Sequence, residues 1–362
     1  MLYLLFLVID NMKNRYLLKN ICFFIIFIRG EIIMIKNLGT FKDYSDGTLK
    51  TVFDIGDKRI IEMSLLFNKP DKDVICVPTH HFCNLGCKMC HLTKQGLKKP
   101  MIPIKIDDFM YCLYESLTKN NQKRTNKEKL LISFMGVGDP LLNLKLIEEV
   151  YKNEKEIKDK LGYICVGYAI ATMMPNDNIL KLKEMVCNLN IPLKVHFSLH
   201  NPINSKRCTL IPSTSVSVKD AFNYLVDYRK SLQANHKIMD EYVHLHSTND
   251  PIEIHYTLIK DVNDKDKELT VLCNLLSKYK IPIKFIRFNP KQDMQISTNE
   301  EKWVKTIHKT IPDLRIKIYS PPGKEVGSSC GEFTKHYYHE EIETLEEKEE
   351  FVNWRVKHLV NE

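Results

Sequence analysis

Two hydrophobic periods alternate along the middle of this chain, and that alternation is its strongest constraint on the fold. Short apolar, β-branched runs recur at residues 74–77, 130–134, 163–170, 193–198, 252–258 and 283–288. Each is bounded by turn residues and reads as a buried strand. Between them, residues 106–117, 144–158, 178–189, 216–232 and 266–278 repeat apolar positions at helical spacing. Residues 303–309 read as one more short helix before the apolar run 314–319. Strands separated by crossover helices pair in parallel, and right-handed crossovers curl the sheet toward a barrel. The expectation is an α/β fold, a partial (β/α)6 barrel of the TIM type over residues 74–320. Residues 48–53 and 59–66 read as strands of a small N-terminal antiparallel β extension, placed at 41–73. On such a sheet, substrate chemistry belongs at the strand C-terminal ends.

Composition narrows the class. The 362 residues are 44% hydrophobic and 27% charged, which excludes wholesale disorder, collagen and coiled coil. Eleven cysteines in a chain this long point to reduced or metal-bound thiols in an intracellular protein. Net charge is +8, and residues 340–350 alone carry −6, leaving +14 on the rest. A basic body suits a polyanion such as nucleic acid; a lysine-rich surface with no partner is the alternative. Residues 2–9 and 21–28 are apolar, but Asp10, Lys13, Arg15 and Lys19 separate them. Neither run reaches the roughly 20 residues needed to span a bilayer. Two readings remain: a short membrane-associating leader, or translation that properly starts at Met34. The second is preferred, because recognisable pattern begins at Phe41. Residues 1–40 are therefore set apart as a leader, and 321–362 as a cysteine-bearing loop with a helical acidic tail.

The sharpest local signal is Cys83, Cys87 and Cys90, spaced C-x3-C-x2-C in the loop directly after the first barrel strand. Three thiolates at this spacing can hold three irons of a 4Fe–4S cluster and leave the fourth iron open. In radical S-adenosylmethionine (SAM) enzymes the open iron takes the amino and carboxylate groups of SAM. Electron transfer then breaks a C–S bond and yields a 5′-deoxyadenosyl radical. A zinc knuckle completed by His91 or His81 is the competing reading, but no second cysteine pair accompanies it.

An ordered set of motifs follows. Ser45-Asp46-Gly47-Thr48 and Gly56-Asp57-Lys58-Arg59 precede the cysteines, and Lys94-Gln95-Gly96 comes after them. Next come Gly136-Val137-Gly138-Asp139-Pro140, Ser198-Leu199-His200 with Arg207 and Pro212, and Tyr256 to Asp264. Phe288-Asn289-Pro290 and Ser329-Cys330-Gly331 close the set. From about Tyr44 to Phe333, this series resembles the RlmN/Cfr radical-SAM RNA adenine methyltransferases. The resemblance implies a methyltransferase acting on C2 or C8 of an adenine in rRNA or tRNA through an S-methylcysteine. It implies two cofactors, a 4Fe–4S cluster on Cys83, Cys87 and Cys90, and SAM. Gly138, Asp139, Ser198, Leu199, His200 and Asn289 fall at its SAM-binding positions. A radical-SAM enzyme with another substrate, or a non-catalytic metal-containing RNA-binding protein, are the alternatives.

The same resemblance assigns catalytic roles. Cys330 matches the cysteine that carries the methyl group, and Cys76 matches the one that releases the RNA by forming a disulfide with it. Glu62 matches a carboxylate proposed to remove the adenine proton. Read alone, Cys76 is equally a small buried strand residue, and Glu62 a solvent-facing one. Expected partners are the RNA and an external electron donor such as flavodoxin or ferredoxin. The expectation is a cytoplasmic monomer with no stable membrane partner. The sequence departs from the family pattern in lacking a long N-terminal helical domain and in placing His80-His81-Phe82 before the cluster. Asp139 stands where Glu is usual, Ala171 where Ser is common, and Met173-Met174 where a small Ser-Gly pair is usual.

Overall fold

The computed structural model describes residues 23–28, 31–57, 59–67, 69–93, 100–118, 128–291, 293–328 and 353–360. Its strands are β1 (Phe23–Ile28), β2 (Glu31–Lys42), β3 (Leu49–Asp54), β4 (Ile60–Leu66), β5 (Asp73–Val77), β6 (Lys129–Phe134), β7 (Cys165–Thr172), β8 (Leu193–Ser198), β9 (Ile252–Tyr256), β10 (Ile283–Ile286) and β11 (Ile316–Tyr319). They form one sheet in chain order. Neighbours from β1 to β5 are antiparallel, and those from β5 to β11 are parallel. The parallel part is the expected partial barrel, with β11 as its last strand.

Helices fill each crossover of the parallel part. They are α1 (Ile106–Thr118), α2 (Leu144–Lys152), α3 (Glu154–Leu161), α4 (Ile179–Leu189), α5 (Asn204–Leu210), α6 (Val218–Gln233), α7 (His236–His246), α8 (Asp266–Tyr279) and α9 (Glu300–Thr310). One core cluster joins alternate strand residues, such as Ile132, Phe134, Val195, Phe197, Ile252 and Ile254, to helix residues such as Leu113, Ile147, Leu182 and Leu225. The period of two sends the remaining strand residues inward. The single helix expected over 144–158 is two helices, which hinge at Asn153. Helices α5 and α7 have no counterpart in the sequence reading. In α7 the Asn235 side chain caps the Ile238 N–H, a start signal that the short, histidine-rich pattern after it obscured.

The extension begins earlier than the expected boundary at residue 41, because β2 crosses it and pairs with β3 back to Lys36. The far end of the chain packs on the same strands. Trp354, in the helix 353–358, stacks on Phe41 with ring centroids 5.0 Å apart. Val360 N–H donates to Thr40 O, and Arg355 to Leu38 O. Residues 321–328 dock beside them: Gly323 N–H donates to Asp46 and Glu325 N–H to Asp43. Val326 joins Phe41, Val52 and Ile60 in a second core cluster. Among the described residues, no helix is long and apolar enough to cross a membrane.

Burial of histidines gives the fold an acid limit. His80 is held to about 4 by burial and the neighbouring His81, and His246 to about 3 by burial, against its hydrogen bond to Pro192 O. Both fall below the unfolded value of about 6.5, so the unfolded chain binds more protons in the window between. The stability they contribute is present above pH 6.5 and is lost as pH falls toward 4, by up to about 3 kcal/mol per histidine. Urea midpoints measured across that window should fall steadily. His246→Gln, which keeps a donor for Pro192 O, should flatten the slope.

Candidate active site at the strand C-terminal ends

One cavity of about 220 Å³ opens where six parallel strands end. The loop after β5 contributes Cys83, Cys87 and Cys90, and the turn after β6 contributes Gly136, Gly138 and Asp139. The end of β7 supplies Ala171 and Met173, β8 supplies Ser198 and His200, β9 supplies His255 and Thr257, and β10 supplies Phe288 and Asn289.

The cysteine loop is pinned from two sides. Lys88 N–H donates to Leu210 O at the end of α5, and Ser213 Oγ donates to Leu85 O. Lys291, beyond β10, donates to Cys90 O. Among the described residues, the only three donor groups with ligand atoms all within 4.8 Å of one another are His196, Glu253 and His255. Three cysteines carried on this one loop are the donor set for three irons of a 4Fe–4S cluster with the fourth iron open. His81, one candidate fourth zinc ligand, instead turns its Nδ1 toward Ile60 O. Burial and the nearby Cys83 push the Cys90 thiol up to about 11, and burial likewise raises Cys83 and Cys87. Bound iron would deprotonate such thiols outright.

The turn after β6 leaves no room for side chains. A Cβ on Gly138, at φ +94°, would lie 2.3 Å from His80 Nδ1, and one on Gly136 would lie 2.9 Å from the Val77 and Pro78 backbone. Asp139 is buried, and its carboxylate accepts from Leu141 N–H, Met173 N–H and the Thr172 hydroxyl. Burial nevertheless raises it to about 6. The side chain thus ties the β6 turn to the end of β7, and its backbone and carboxylate edge face the cavity.

His200 sits at φ +50° and receives the Thr257 N–H on Nδ1 at 3.1 Å. Burial and Arg207 lower it to about 3, so the ring is neutral. A backbone N–H can only donate, which leaves the ring proton on Nε2. Arg207 is fully buried, with its guanidinium donating to Leu199 O, Ser198 O, Met173 O and the Thr214 hydroxyl. It locks the ends of β7 and β8 together. The sequence marked Arg207 only as part of a motif. Its locking role, like the presence of Thr172, His255 and Thr257 at or behind the cavity wall, depended on pairing that no local pattern reveals.

Three expected site residues stand apart from the lining. Leu199 points into the hydrophobic core, and only its carbonyl serves the site, through Arg207. Cys76 is buried in β5 and packs with Leu92, Val137, Cys83 and Cys90 directly behind the cysteine loop. Glu62 does not face solvent: it forms a buried ion pair with Lys50, Oε2 to Nζ 2.7 Å. Cys330, and with it the expected Cys76–Cys330 pairing, lies outside the described residues, as does Lys94-Gln95-Gly96.

The His196–Glu253–His255 group, which shares His255 with the cavity lining, resembles a metal site. Lys284 Nζ already sits 2.7 Å from Glu253 Oε2 and 3.4 Å from His255 Nε2, with Lys194 3.5 Å from the carboxylate. The ammonium occupies the place where the donors converge.

No family model matches the chain. It is 25% identical over 293 residues to the dual-specificity RNA methyltransferase RlmN of Alcanivorax borkumensis, covering 79% of this chain and 71% of that one. It is 24% identical over 292 residues to the RlmN of Buchnera aphidicola, covering 80% and 74%. The chain is similar in sequence to the RlmN methyltransferases over about four-fifths of its length. In structure it matches a radical SAM methyltransferase from Sphaerobacter thermophilus with TM-score 0.64 and 18% identity, over 82% of this chain and 80% of that one. Kinship and fold make it a radical-SAM methyltransferase, a transferase that uses a 4Fe–4S cluster and SAM.

Replacing any one of Cys83, Cys87 or Cys90 by Ala should abolish cluster absorbance and 5′-deoxyadenosine formation together. Full iron content in the triple variant would refute the ligand set. Gly138→Ala should keep the iron but weaken SAM binding by at least about tenfold, because the turn must shift to clear His80; equilibrium binding of SAM measures this.

Proposed function

We propose that this radical-SAM methyltransferase adds a methyl group to C2 or C8 of an adenine in ribosomal or transfer RNA, with Cys330 as the methyl carrier. The observation that carries the reading is the convergence of Cys83, Cys87 and Cys90 with Gly138, Asp139, Ser198, His200 and Asn289 on one cavity, with Cys76 packed behind the cysteines. The RNA substrate comes from the relatives, which are RNA methyltransferases by name.

The three cysteines would hold the cluster, and the Gly136–Asp139 turn, Ser198, His200 and Asn289 would hold SAM. Bound there, the cluster supplies the electron that cleaves SAM and starts radical chemistry. Asp139 and the adjacent backbone carbonyls present acceptors to the SAM ammonium, and His200 presents an Nε2 donor. Cys330 would give its thiol proton to solvent, and its sulfur would take the methyl group of one SAM, displacing S-adenosylhomocysteine. This carrier answers a chemical problem: an adenine C–H is not acidic, and its carbon is a poor nucleophile toward a sulfonium. The adenine proton would go to Glu62 only once that carboxylate leaves its buried pair with Lys50. Once radical chemistry has taken a hydrogen atom from the carried methyl group and joined its carbon to the adenine, the Cys76 thiolate would attack the Cys330 sulfur, forming a disulfide as the sulfur–carbon bond breaks; the bonding pair would stay on the RNA-linked carbon, which takes a proton from solvent to become the methyl group. RNA would be held by the basic body with salt-dependent affinity, in the cytoplasm, by a monomer fed by an external electron donor such as flavodoxin or ferredoxin.

Cys76→Ala should accumulate a covalent enzyme–RNA adduct that survives denaturant, whereas Cys330→Ala should form none. Nucleoside mass spectrometry of RNA from cells with and without the gene should show one methyladenosine lost. A Cys330→Ala enzyme that still methylates RNA would refute the carrier.

A further inference from the structure

The buried Lys50–Glu62 pair stands outside the cavity, yet it connects two parts of the molecule on which the reaction depends. Register places Glu62 opposite Val52 and Lys50 opposite Ser64, so the two side chains meet diagonally on one face of the β3–β4 ribbon. Their side chains are 0% and 1% exposed. Burying two charges is costly, and a pair of apolar side chains would serve the sheet at least as well, so stability alone does not explain the pair. The same ammonium also donates to the carbonyl of Gly327 at 3.3 Å. Gly327 precedes Cys330 by three residues.

That contact belongs to a fixed run of chain. Gly323 N–H is held by Asp46 and Glu325 N–H by Asp43, and Ser328 N–H donates back to Gly323 O. Gly323 has φ +74°, and a Cβ there would lie 2.7 Å from Ser328 and 2.9 Å from Thr48. Asp43, Asp46, Thr48 and Lys50 all come from the hairpin that joins β2 to β3, so residues 323–328 are set by that hairpin. Lys50 is the member that grips this run at its end nearest Cys330 and that also reaches the Glu62 carboxylate.

We propose that Lys50 is a positioning residue for the methyl carrier: its ammonium, paired with Glu62, holds the backbone from which the chain continues to Cys330. The inference rests on Cys330 being the carrier. It gives a use to a charged pair that is otherwise costly inside a small ribbon.

The test follows the methyl group on Cys330 by mass spectrometry, in reconstituted full-length enzyme given SAM. Lys50→Met alone would change both the grip on Gly327 and the Lys50–Glu62 ion pair, so the comparison is between E62Q and K50M/E62Q, both of which lack that pair. The double variant should methylate Cys330 about tenfold more slowly than E62Q, or worse, with iron content and reductive SAM cleavage equal to those of E62Q. K50R, which keeps the cation, should recover most of the rate that K50M loses. If the double variant does not fold, D46N decides, since it loosens the same run from the surface and should slow methylation a few-fold. A folded K50M/E62Q enzyme that methylates Cys330 as fast as E62Q overturns the proposal. A wild-type enzyme that never carries a methyl on Cys330 overturns the carrier reading on which it rests, and the two failures are thereby told apart.

Discussion

The candidate cavity lies at one end of the sheet because β5 to β11 all point the same way. In a parallel sheet each strand delivers the loop that follows it to the same rim. The cysteine loop, the glycine turn, the Met173 segment, His200 and Asn289 therefore meet although they span some 200 residues of chain. The rim must also be rigid, since a site is only as precise as the elements that carry it. Two buried charged groups supply that rigidity. Asp139 binds the β6 turn to β7, and Arg207 binds β7 to β8 through four acceptors. Neither acts by contact with its opposite charge; each organises neutral backbone groups. That is the use for which a planar five-donor guanidinium is suited and a lysine is not.

Much of this was legible in the sequence because the relevant signals are local. Strands such as Leu193–Ser198 are recognisable from six consecutive residues, and C-x3-C-x2-C needs only eight. Glycines at 136 and 138 announce a turn with no space for side chains. What the sequence hid was of two kinds. The α2–α3 hinge and helices α5 and α7 are decided by caps and tertiary packing, which a periodic pattern does not resolve. The partners of Glu62 and Leu199 depend on which face of a strand is inward and on what lies across from it. A Glu on a short ribbon strand is ordinarily solvated. Here Lys50, on the neighbouring strand, and Gly327, far along the chain, remove it from water, and nothing near Glu62 in sequence signals either.

The substitution of His80-His81-Phe82 before the cluster has a physical account. All three are buried, and His80 fills the space against which Gly138 closes. Its Nδ1 bonds the Thr79 hydroxyl, and both histidines are neutral at physiological pH. They act as shaped, weakly polar packing beneath the glycine turn. The wide, soft wall made by Met173, whose sulfur lies 3.3 Å from Cys87 Sγ, is a similar exchange of one packing solution for another. Large buried side chains therefore build the walls around the cysteines.

Charge completes the argument. Burial raises all three cluster cysteines, with the neighbouring cysteines adding to the rise at Cys87 and Cys90 and Asp139 adding to it at Cys83. Arg207 acts on Cys87 and Lys291 on Cys90 in the opposite sense. Lys194, Lys284 and Arg315 crowd around a single carboxylate, Glu253. Burial would raise Glu253, but His196, Lys194 and Lys284 hold it well below the usual carboxylate range, and burial brings Lys194 down to about 7. A divalent ion would add to that excess of positive charge, which is why the His196–Glu253–His255 donors close around an ammonium.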